Sequence, residues 1–277
     1  MQLSGSSKWL LRVGTALTLA FLYIPLLVIL VYAFNSTRVQ KWPPAGLTFS
    51  WFHRALHNPG VRDALATSVK CGLLATAVAL VLGTMASIAV ARYRFFGREA
   101  VSFLVVLPIA LPGIVTGMAL NSTFTQVLGV SLGLLTIVIG HATFCIVVVF
   151  NNVVARLRRT STSFEEASAD LGANGFQTFR YVVFPQLRSA LVAGALLAFA
   201  LSFDEIIVTT FTAGQEQTLP IWIFANLSRP RQLPIVNVVA VLLILLSAIP
   251  VYFAHRLTVD SEGDSAAVAP AGAVTGA

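Results

Sequence analysis

Residues 100–155 read AVSFLVVLPIALPGIVTGMALNSTFTQVLGVSLGLLTIVIGHATFCIVVVFNNVVA and contain no Asp, Glu, Lys or Arg. A single helix of this length would be about 84 Å long, whereas the hydrocarbon core of a bilayer is about 30 Å thick. The polar, glycine-containing segment from Asn121 to Gly133 offers the chain a natural place to turn. The stretch therefore predicts two membrane-spanning helices joined by a loop.

The whole chain has the composition of a membrane protein. Of its 277 residues, 57% are hydrophobic and only 10% are charged, against roughly 25% charged residues in soluble proteins. This excludes a disordered chain, a disulfide-stapled secreted domain and a cytosolic enzyme of ordinary build. The net charge of +7 does not indicate a nucleic-acid partner, because the basic residues punctuate apolar runs instead of collecting on one solvated face.

Four more apolar stretches are long enough to cross a bilayer, which takes about 20 residues of helix. They are Val13–Thr37, Cys71–Ala91, Leu187–Phe211 and Ile235–Ala254. With the two helices above, they predict an all-α fold whose six transmembrane helices occupy residues 13–256. A short N-terminal segment, 1–12, precedes this domain. The tail, 257–277, is rich in Ala, Gly and Ser and is predicted to be disordered.

The basic residues predict the orientation. If the N-terminus is inside, the cytoplasmic segments hold 11 Lys and Arg residues and the outer segments hold 7. Cytoplasmic loops carry the excess of Lys and Arg in membrane proteins. Both termini and the long loop over residues 156–185 are therefore expected to be cytoplasmic.

The loop over residues 156–185 contains the pattern of a short, capped helix. Ser163 and Glu166 have the spacing of a capping box. A glycine such as Gly172 suits the left-handed conformation that ends many helices, and Pro185 is well placed to begin the next helix. On this pattern alone, the short helix could equally be a solvated amphipathic segment.

This loop resembles the EAA loop of binding-protein-dependent ABC importer permeases, and we call residues 156–185 the EAA-like loop. The matching stretches are Glu166-Ala-Ser-Ala-Asp-Leu-Gly172 and Val182-Val-Phe-Pro185. Positions identical to the motif are Glu166, Ala167, Gly172 and Pro185, and positions that depart from it are Ser168, Val182 and Phe184. The resemblance implies a type I importer fold and a helix that docks in a groove of a cytoplasmic ATPase. The implied coupling residues are Glu165, Glu166, Ala167, Asp170, Gly172 and Pro185.

A closer resemblance is to the polyamine (spermidine/putrescine-type) branch of these permeases and to its shorter permease subunit. It is carried by residues 107–117, 170–175 and 201–214, which read LPIALPGIVTG, DLGANG and LSFDEIIVTTFTAG. Besides membrane lipid, the implied partners are a second permease subunit that forms a heterodimer, two copies of a cytoplasmic ABC ATPase and an extracytoplasmic substrate-binding protein. The implied location is the inner membrane.

The chain lacks the phosphate-binding loop of an ATPase. Such a loop needs a lysine directly after a glycine, and the only lysines are Lys8, Lys41 and Lys70, none of which follows one. We therefore expect no enzymatic activity and no cofactor in this chain, with ATP and Mg bound by the partner ATPase. No metal site is predicted at His141.

Two acidic residues interrupt the fifth predicted span. Asp204 lies about 28 Å along a straight helix from Pro185, which places it and Glu205 in the outer part of the bilayer or at its surface. Intramembrane acids usually face a water-filled path and would attract a cationic substrate. Alternatively, the helix ends early and both acids are ordinary interface residues.

Prolines interrupt the third predicted span at Pro108 and Pro112. Proline frees backbone carbonyls, and broken helices of this kind often line a substrate path. A simple packing kink is the alternative. His141, in the fourth predicted span, is expected to be a hydrogen-bonded core residue.

These features together favour a permease subunit of an ATP-driven importer for polyamines or similar cations, which receives its substrate near Asp204. One alternative is an importer permease for another substrate, such as an amino acid or an iron complex. The other is a membrane-embedded enzyme that uses Asp204, Glu205 and His141 for acid–base chemistry.

Overall fold

The computed structural model of the chain describes residues 5–267 and is helical almost throughout. Its helices are α1 (Gly5–Ala33), α2 (Ser50–Leu56), α3 (Pro59–Arg92), α4 (Arg98–Ala110), α5 (Gly113–Ser122), α6 (Leu134–Arg158), α7 (Ser163–Asp170), α8 (Gly175–Thr178), α9 (Phe184–Phe203), α10 (Ile207–Thr212), α11 (Leu219–Leu227) and α12 (Leu233–Ala267). Two π-helical turns occupy Thr123–Val127 and Phe179–Val183. An isolated bridge joins Asn35 and Leu47, and no strand forms in residues 5–267. The predicted all-α fold is confirmed.

Five helical segments are long and apolar enough to cross a membrane, and there are six if the bent pair α4–α5 is one span. These six segments correspond to the six predicted spans. The connection within residues 100–155 is shorter than predicted, because helical structure continues to Val127 and α6 begins at Leu134.

The fifth span begins earlier than the sequence indicates. Helical structure runs without a break from Gly175 to Phe203, whereas the sequence predicts that the helix begins at Pro185. Pro185 does stand in the first turn of α9. Proline clashes with the carbonyl four residues before it inside a regular helix. The π-helical turn Phe179–Val183 widens the backbone ahead of Pro185, so that the helix continues through it.

The chain divides into two compact units. Among the described residues, the first comprises residues 5–63 together with Trp222–Leu245. In it, the Trp51 indole N–H donates to the Asn35 carbonyl at 2.8 Å, and the rings of Phe34 and Phe52 lie 4.9 Å apart. These contacts order the turn between α1 and α2.

Among the described residues, the second unit comprises Ala64–Ile221 and residues 246–267. Helix α6 is its most buried span, and α9 packs along it. The side chains at the centre of this packing are almost completely buried: Ala79, Cys145, Val149, Val153, Leu157, Leu187 and Ala198. Close van der Waals packing of this kind is the main attraction between helices in a bilayer. This unit contains the EAA-like loop and both interrupted spans.

The C-terminal tail is less irregular than the sequence indicates. Its composition predicts disorder from Leu257 onward, but α12 extends through Ala267. Adding a residue to an existing helix requires no new nucleation, and residues 257–267 contain no proline to stop it. Residues 268–277 lie outside the described part of the chain, and their predicted disorder stays a prediction, as does the placement of residues 1–12.

Candidate functional site

The third span is broken at Pro112. Helix α4 ends at Ala110, Leu111 is extended (φ −82°, ψ 143°), and α5 starts at Gly113. The two halves are bent by 103°. A residue before proline is pushed out of the helical region by the proline ring, so Pro112 sets the break. Pro108, in contrast, lies inside the last turn of α4 and does not end it.

The fifth span is broken at the acidic pair. Helix α9 ends at Phe203, Asp204 is its C-terminal cap, and α10 begins at Ile207. The Asp204 backbone N–H still donates to the Ala200 carbonyl, at 3.3 Å. The break therefore occupies only Asp204–Ile206.

The two breaks lie side by side. A Cβ atom added to Gly113 would lie 3.6 Å from Cβ of Ile207, at the start of α10. One turn further along, a Cβ on Gly117 would lie 2.7 Å from the Phe211 ring, so only glycine permits this approach of α5 to α10. The Asn121 amide donates to the Phe211 carbonyl at 2.6 Å. The structure thus brings two regions together, the Pro112 break and the acidic pair, that are about 90 residues apart in the sequence.

The two acids have different surroundings. Glu205 Oε1 accepts a hydrogen bond from the Val208 backbone N–H at 2.9 Å. From the position before the N-cap residue Ile206, this carboxylate satisfies one of the free N–H groups in the first turn of α10 and favourably meets the positive end of its helix dipole. The Asp204 side chain is exposed, and its carboxylate makes no hydrogen bond or ion pair within the described part of the chain. Asp204 is therefore the acid available to a ligand, and Glu205 supports the break.

His141 contacts both helices that flank the break at Asp204–Ile206, α9 through Ser202 and α10 through Thr209. It is completely buried, with Nδ1 2.7 Å from Ser202 Oγ and Nε2 2.8 Å from Thr209 Oγ1. The Thr209 hydroxyl donates its single proton to the Glu205 carbonyl at 2.8 Å. We therefore infer that Nε2 carries the imidazole proton and donates to Thr209, and that Nδ1 accepts from Ser202. The prediction of a hydrogen-bonded core histidine is confirmed.

This network also bears on the enzyme alternative. His141 is completely buried, and both of its ring nitrogens are hydrogen-bonded to buried hydroxyls, so its side chain has no surface open to a substrate in this structure. The sequence alone does not single out Ser202 and Thr209. Their signal is their position, because each is a hydroxyl residue within about one helical turn of the acidic pair.

Replacing His141 by leucine is expected to destabilise the protein by about 1–3 kcal/mol. Leucine leaves the buried Ser202 hydroxyl without its partner, and one such group costs about 1–3 kcal/mol, whereas the Thr209 hydroxyl keeps its bond to the Glu205 carbonyl. The measurement is the thermal unfolding midpoint of the purified protein in detergent. His141→Gln, which can both donate and accept, should lose less. Equal midpoints for wild type and His141→Leu would contradict this role.

In the EAA-like loop, α7 ends as the sequence indicates. Gly172 has a φ of +82°, a left-handed conformation that favours glycine. The Gly172 N–H donates to the Ala169 carbonyl at 2.9 Å, and the Ala173 N–H donates to the Ser168 carbonyl at 3.1 Å. This double pattern is the Schellman motif, which satisfies the last carbonyls of a helix.

The predicted capping box at the start of α7 is wrong. Thr162 is the N-cap residue, and it makes no side-chain capping bond. Ser163 lies inside the helix, and its hydroxyl is 2.7 Å from that of Ser161. A capping box does form at the start of α8, where Asn174 and Gln177 exchange hydrogen bonds of 3.0 and 2.8 Å. Ser163 therefore does not cap α7, because it lies inside the helix and its hydroxyl is bonded to that of Ser161.

The residues predicted for ATPase coupling do not share one environment. Five of the six are exposed, and four of these lie on α7 or at its end: Glu166, Ala167, Asp170 and Gly172. Glu165 is only 25% exposed and lies 2.8 Å from Arg92. Pro185 is in α9 and outside the short helix.

Three large apolar side chains on α7 or shortly after it are exposed. Phe164, in α7, is 59% exposed; Leu171, its C-cap, 89%; and Phe176, in α8, 75%. Exposed large apolar groups on a short loop, next to polar residues, are typical of a protein-binding surface. We call Phe164, Leu171 and Phe176, with the exposed residues of α7, the loop surface. No group of three or more His, Cys, Asp or Glu suited to a metal ion occurs among residues 5–267.

Comparison with known proteins gives one family match and several relatives. The family described as "binding-protein-dependent transport system inner membrane component" matches residues 79–259, more than half of the chain. The putrescine transport system permease protein PotI of Escherichia coli (strain K12) is 32% identical over 250 residues, covering 87% of this chain and 88% of that protein. The spermidine/putrescine transport system permease protein PotC of Haemophilus influenzae is 33% identical over 241 residues, covering 86% of this chain and 92% of that protein.

A similar fold occurs in a solved structure of a bacterial ABC transporter involved in the import of the acidic polysaccharide alginate. The TM-score is 0.68 at 20% sequence identity, and the match covers 94% of this chain and 99% of that chain. At this level of identity the likeness concerns the fold.

Proposed function

Since the chain belongs to the family of binding-protein-dependent transport system inner membrane components, we propose that it is the permease subunit of an ATP-driven importer of polyamines. Two relatives whose names include putrescine or spermidine, at 32% and 33% identity over most of the chain, support this cargo. The exposed carboxylate of Asp204 supports it as well, because polyamines are cations. Both termini and the EAA-like loop lie in the cytoplasm in this proposal, in accord with the distribution of basic residues.

The observation that carries the proposal is the loop surface. A rigid helix, closed by a Schellman motif at Gly172 and lined by exposed Phe164 and Leu171, is suited to insertion into a groove of another protein. Helix-in-groove binding uses a few apolar anchors in this way. The partner is a cytoplasmic ABC ATPase, present in two copies, which binds ATP and Mg. A second permease subunit and an extracytoplasmic substrate-binding protein complete the importer.

The substrate path passes the paired helix breaks. Irregular backbone is tolerated at membrane depth where it is buried in protein or lines a cavity, and broken helices mark substrate sites in many transporters. Here the breaks at Pro112 and Asp204 adjoin, and Asp204 presents a carboxylate that no group in the described residues neutralises. A cationic cargo would offset the cost of keeping that carboxylate charged.

One helix joins the loop surface to the path. Helical structure is continuous from Gly175, three residues after Gly172, to Phe203, next to Asp204. At 1.5 Å per residue this segment is roughly 43 Å long. When the ATPases close on ATP, a displacement of α7 is transmitted along this helix to the break, and the spans rock between inward-open and outward-open states.

Uptake measurements test the proposed cargo. Cells that carry the chain with its partner subunits should accumulate labelled spermidine or putrescine, and deletion of this chain alone should abolish the ATP-dependent part. Unlabelled polyamines should compete, whereas amino acids and iron complexes should not. Competition by an amino acid or an iron complex, with none by polyamines, would overturn the polyamine assignment and leave the permease role intact.

A further inference from the structure

An ion pair connects α7 to the second span. Arg92 is the last residue of α3, and its Nε lies 2.8 Å from Glu165 Oε1 in α7. The two side chains are only 12% and 25% exposed. Surface ion pairs contribute little because water and salt screen them, but this pair is largely withdrawn from solvent and is screened much less.

Few other contacts hold α7 in place. None of its residues is buried, so it has no apolar anchor in the core. Ser168 Oγ lies 3.1 Å from Thr178 Oγ1, in the following α8, which ties α7 only to its own loop. The Arg92–Glu165 pair ties α7 to a different membrane-spanning helix. The position of α7 relative to α3 therefore depends strongly on this pair.

Arg92 also contacts the end of α6. Its Nη1 donates to the Leu157 carbonyl at 3.4 Å, while Nε and Nη2 are buried and have no hydrogen-bond partner in the described residues. The 2.8 Å approach to Glu165 is thus an ion pair without an aligned hydrogen bond. Because Glu165 is the acid that balances this buried guanidinium, α3, α6 and α7 meet at one charged contact.

We propose that Arg92 and Glu165 form an electrostatic tether through which movement of α7 reaches α3 as well as α9. The inference rests on the proposed function. It gives Glu165 a role different from that of its exposed neighbour Glu166, since Glu165 faces the permease and Glu166 remains available to the ATPase. Arg92 is a positioning residue for the coupling helix.

The test uses the complete importer, purified with its partner subunits and reconstituted in liposomes of bacterial lipid. ATP hydrolysis and polyamine uptake are measured together, and their ratio is the readout. The central variant is the neutral pair Arg92→Gln with Glu165→Gln, which removes the tether without leaving a buried charge unpaired. We expect it to assemble and hydrolyse ATP, with uptake per ATP reduced about tenfold, a factor equivalent to about 1.4 kcal/mol of coupling.

Two exposed charges on the same predicted side of the membrane serve as matched controls. Arg94 and Glu99 lie close to Arg92 in the sequence and are exposed, so Arg94→Gln with Glu99→Gln should keep the wild-type ratio. If the neutral pair at Arg92 and Glu165 also keeps that ratio, the pair merely balances a buried charge and the tether is overturned. Normal transport by Glu165→Gln alone would overturn the tether too, and this variant separates the tether from any folding defect caused by changing Arg92.

Failure of the tether is distinguishable from failure of the proposed function. If the wild-type chain does not co-purify with an ATPase or does not import polyamines, the importer proposal fails before any variant is compared. A wild-type complex that imports polyamines, combined with a neutral pair that does so equally well per ATP, overturns only the tether.

Discussion

Replacing Asp204 by asparagine is expected to lower polyamine uptake about tenfold or more, mainly through a higher half-saturating concentration. The attraction between the Asp204 carboxylate and a substrate ammonium group about 4 Å away is about 4 kcal/mol at an effective dielectric constant of 20. Desolvation cancels much of this, yet a remainder of about 1.4 kcal/mol is already a factor of ten. The measurement is initial uptake rate against substrate concentration, at matched expression of the variant and the wild type.

The neighbouring acid supplies the control. Glu205→Gln also removes one negative charge, but its amide oxygen can still accept from the Val208 N–H in the first turn of α10. We expect it to retain most of the uptake. Wild-type values of both rate and half-saturating concentration in Asp204→Asn would eliminate Asp204 from the substrate path. A larger loss in Glu205→Gln than in Asp204→Asn would reverse the assignment of the two acids.

Replacing Gly172 by arginine is expected to abolish uptake by uncoupling the ATPase. A Cβ at this position would have no atom within 4 Å, so the residue is not crowded within the chain. The substitution has two effects. It places a non-glycine residue at a left-handed φ, which destabilises the fold by about 1 kcal/mol, and it puts a long charged side chain on the loop surface, where it opposes docking of the ATPase. Disruption of a central docking residue costs about 2–4 kcal/mol. The measurement is retention of the ATPase during purification of the complex, together with uptake.

Gly97 offers a closely matched control. It has the same φ of +82° and likewise no atom within 4 Å of an added Cβ, but it precedes α4 and lies outside the EAA-like loop. Gly97→Arg therefore carries the same backbone strain and the same added charge. We expect it to retain the ATPase. If both arginine variants lose the ATPase equally, backbone strain is the cause and the loop surface is not the docking site.

Membrane insertion and the number of spans could be predicted from the composition and from the lengths of the apolar runs. A helix must satisfy its backbone hydrogen bonds within itself to cross a bilayer, so apolar runs of about 20 residues map directly onto spans. Residues 100–155 show this most clearly. Local signals also succeeded where one residue type suits one backbone geometry, as Gly172 does at the end of α7.

The exact starting residues of helices were predicted less accurately. The capping box at Ser163 fails because the Ser161 hydroxyl is its closer partner. Pro185 has the features of a helix start, but a π-helical turn before it lets the helix extend back to Gly175. In both cases the local pattern is present in the sequence, and the structure just before it changes the outcome.

The sequence by itself determined that the chain is a six-span helical membrane protein, that an EAA-like loop separates its fourth and fifth spans, and that acids and prolines interrupt two of the spans. Only the tertiary structure showed that the interruptions at Pro112 and Asp204 are neighbours, that the Glu205 carboxylate accepts from the Val208 N–H while the Asp204 carboxylate has no partner among residues 5–267, and that Glu165 pairs with Arg92. The physical reason is that hydropathy and helix-breaking act along the chain, within about one turn of a residue. The partner of a charge or a hydroxyl is chosen by helices that pack together from distant parts of the chain.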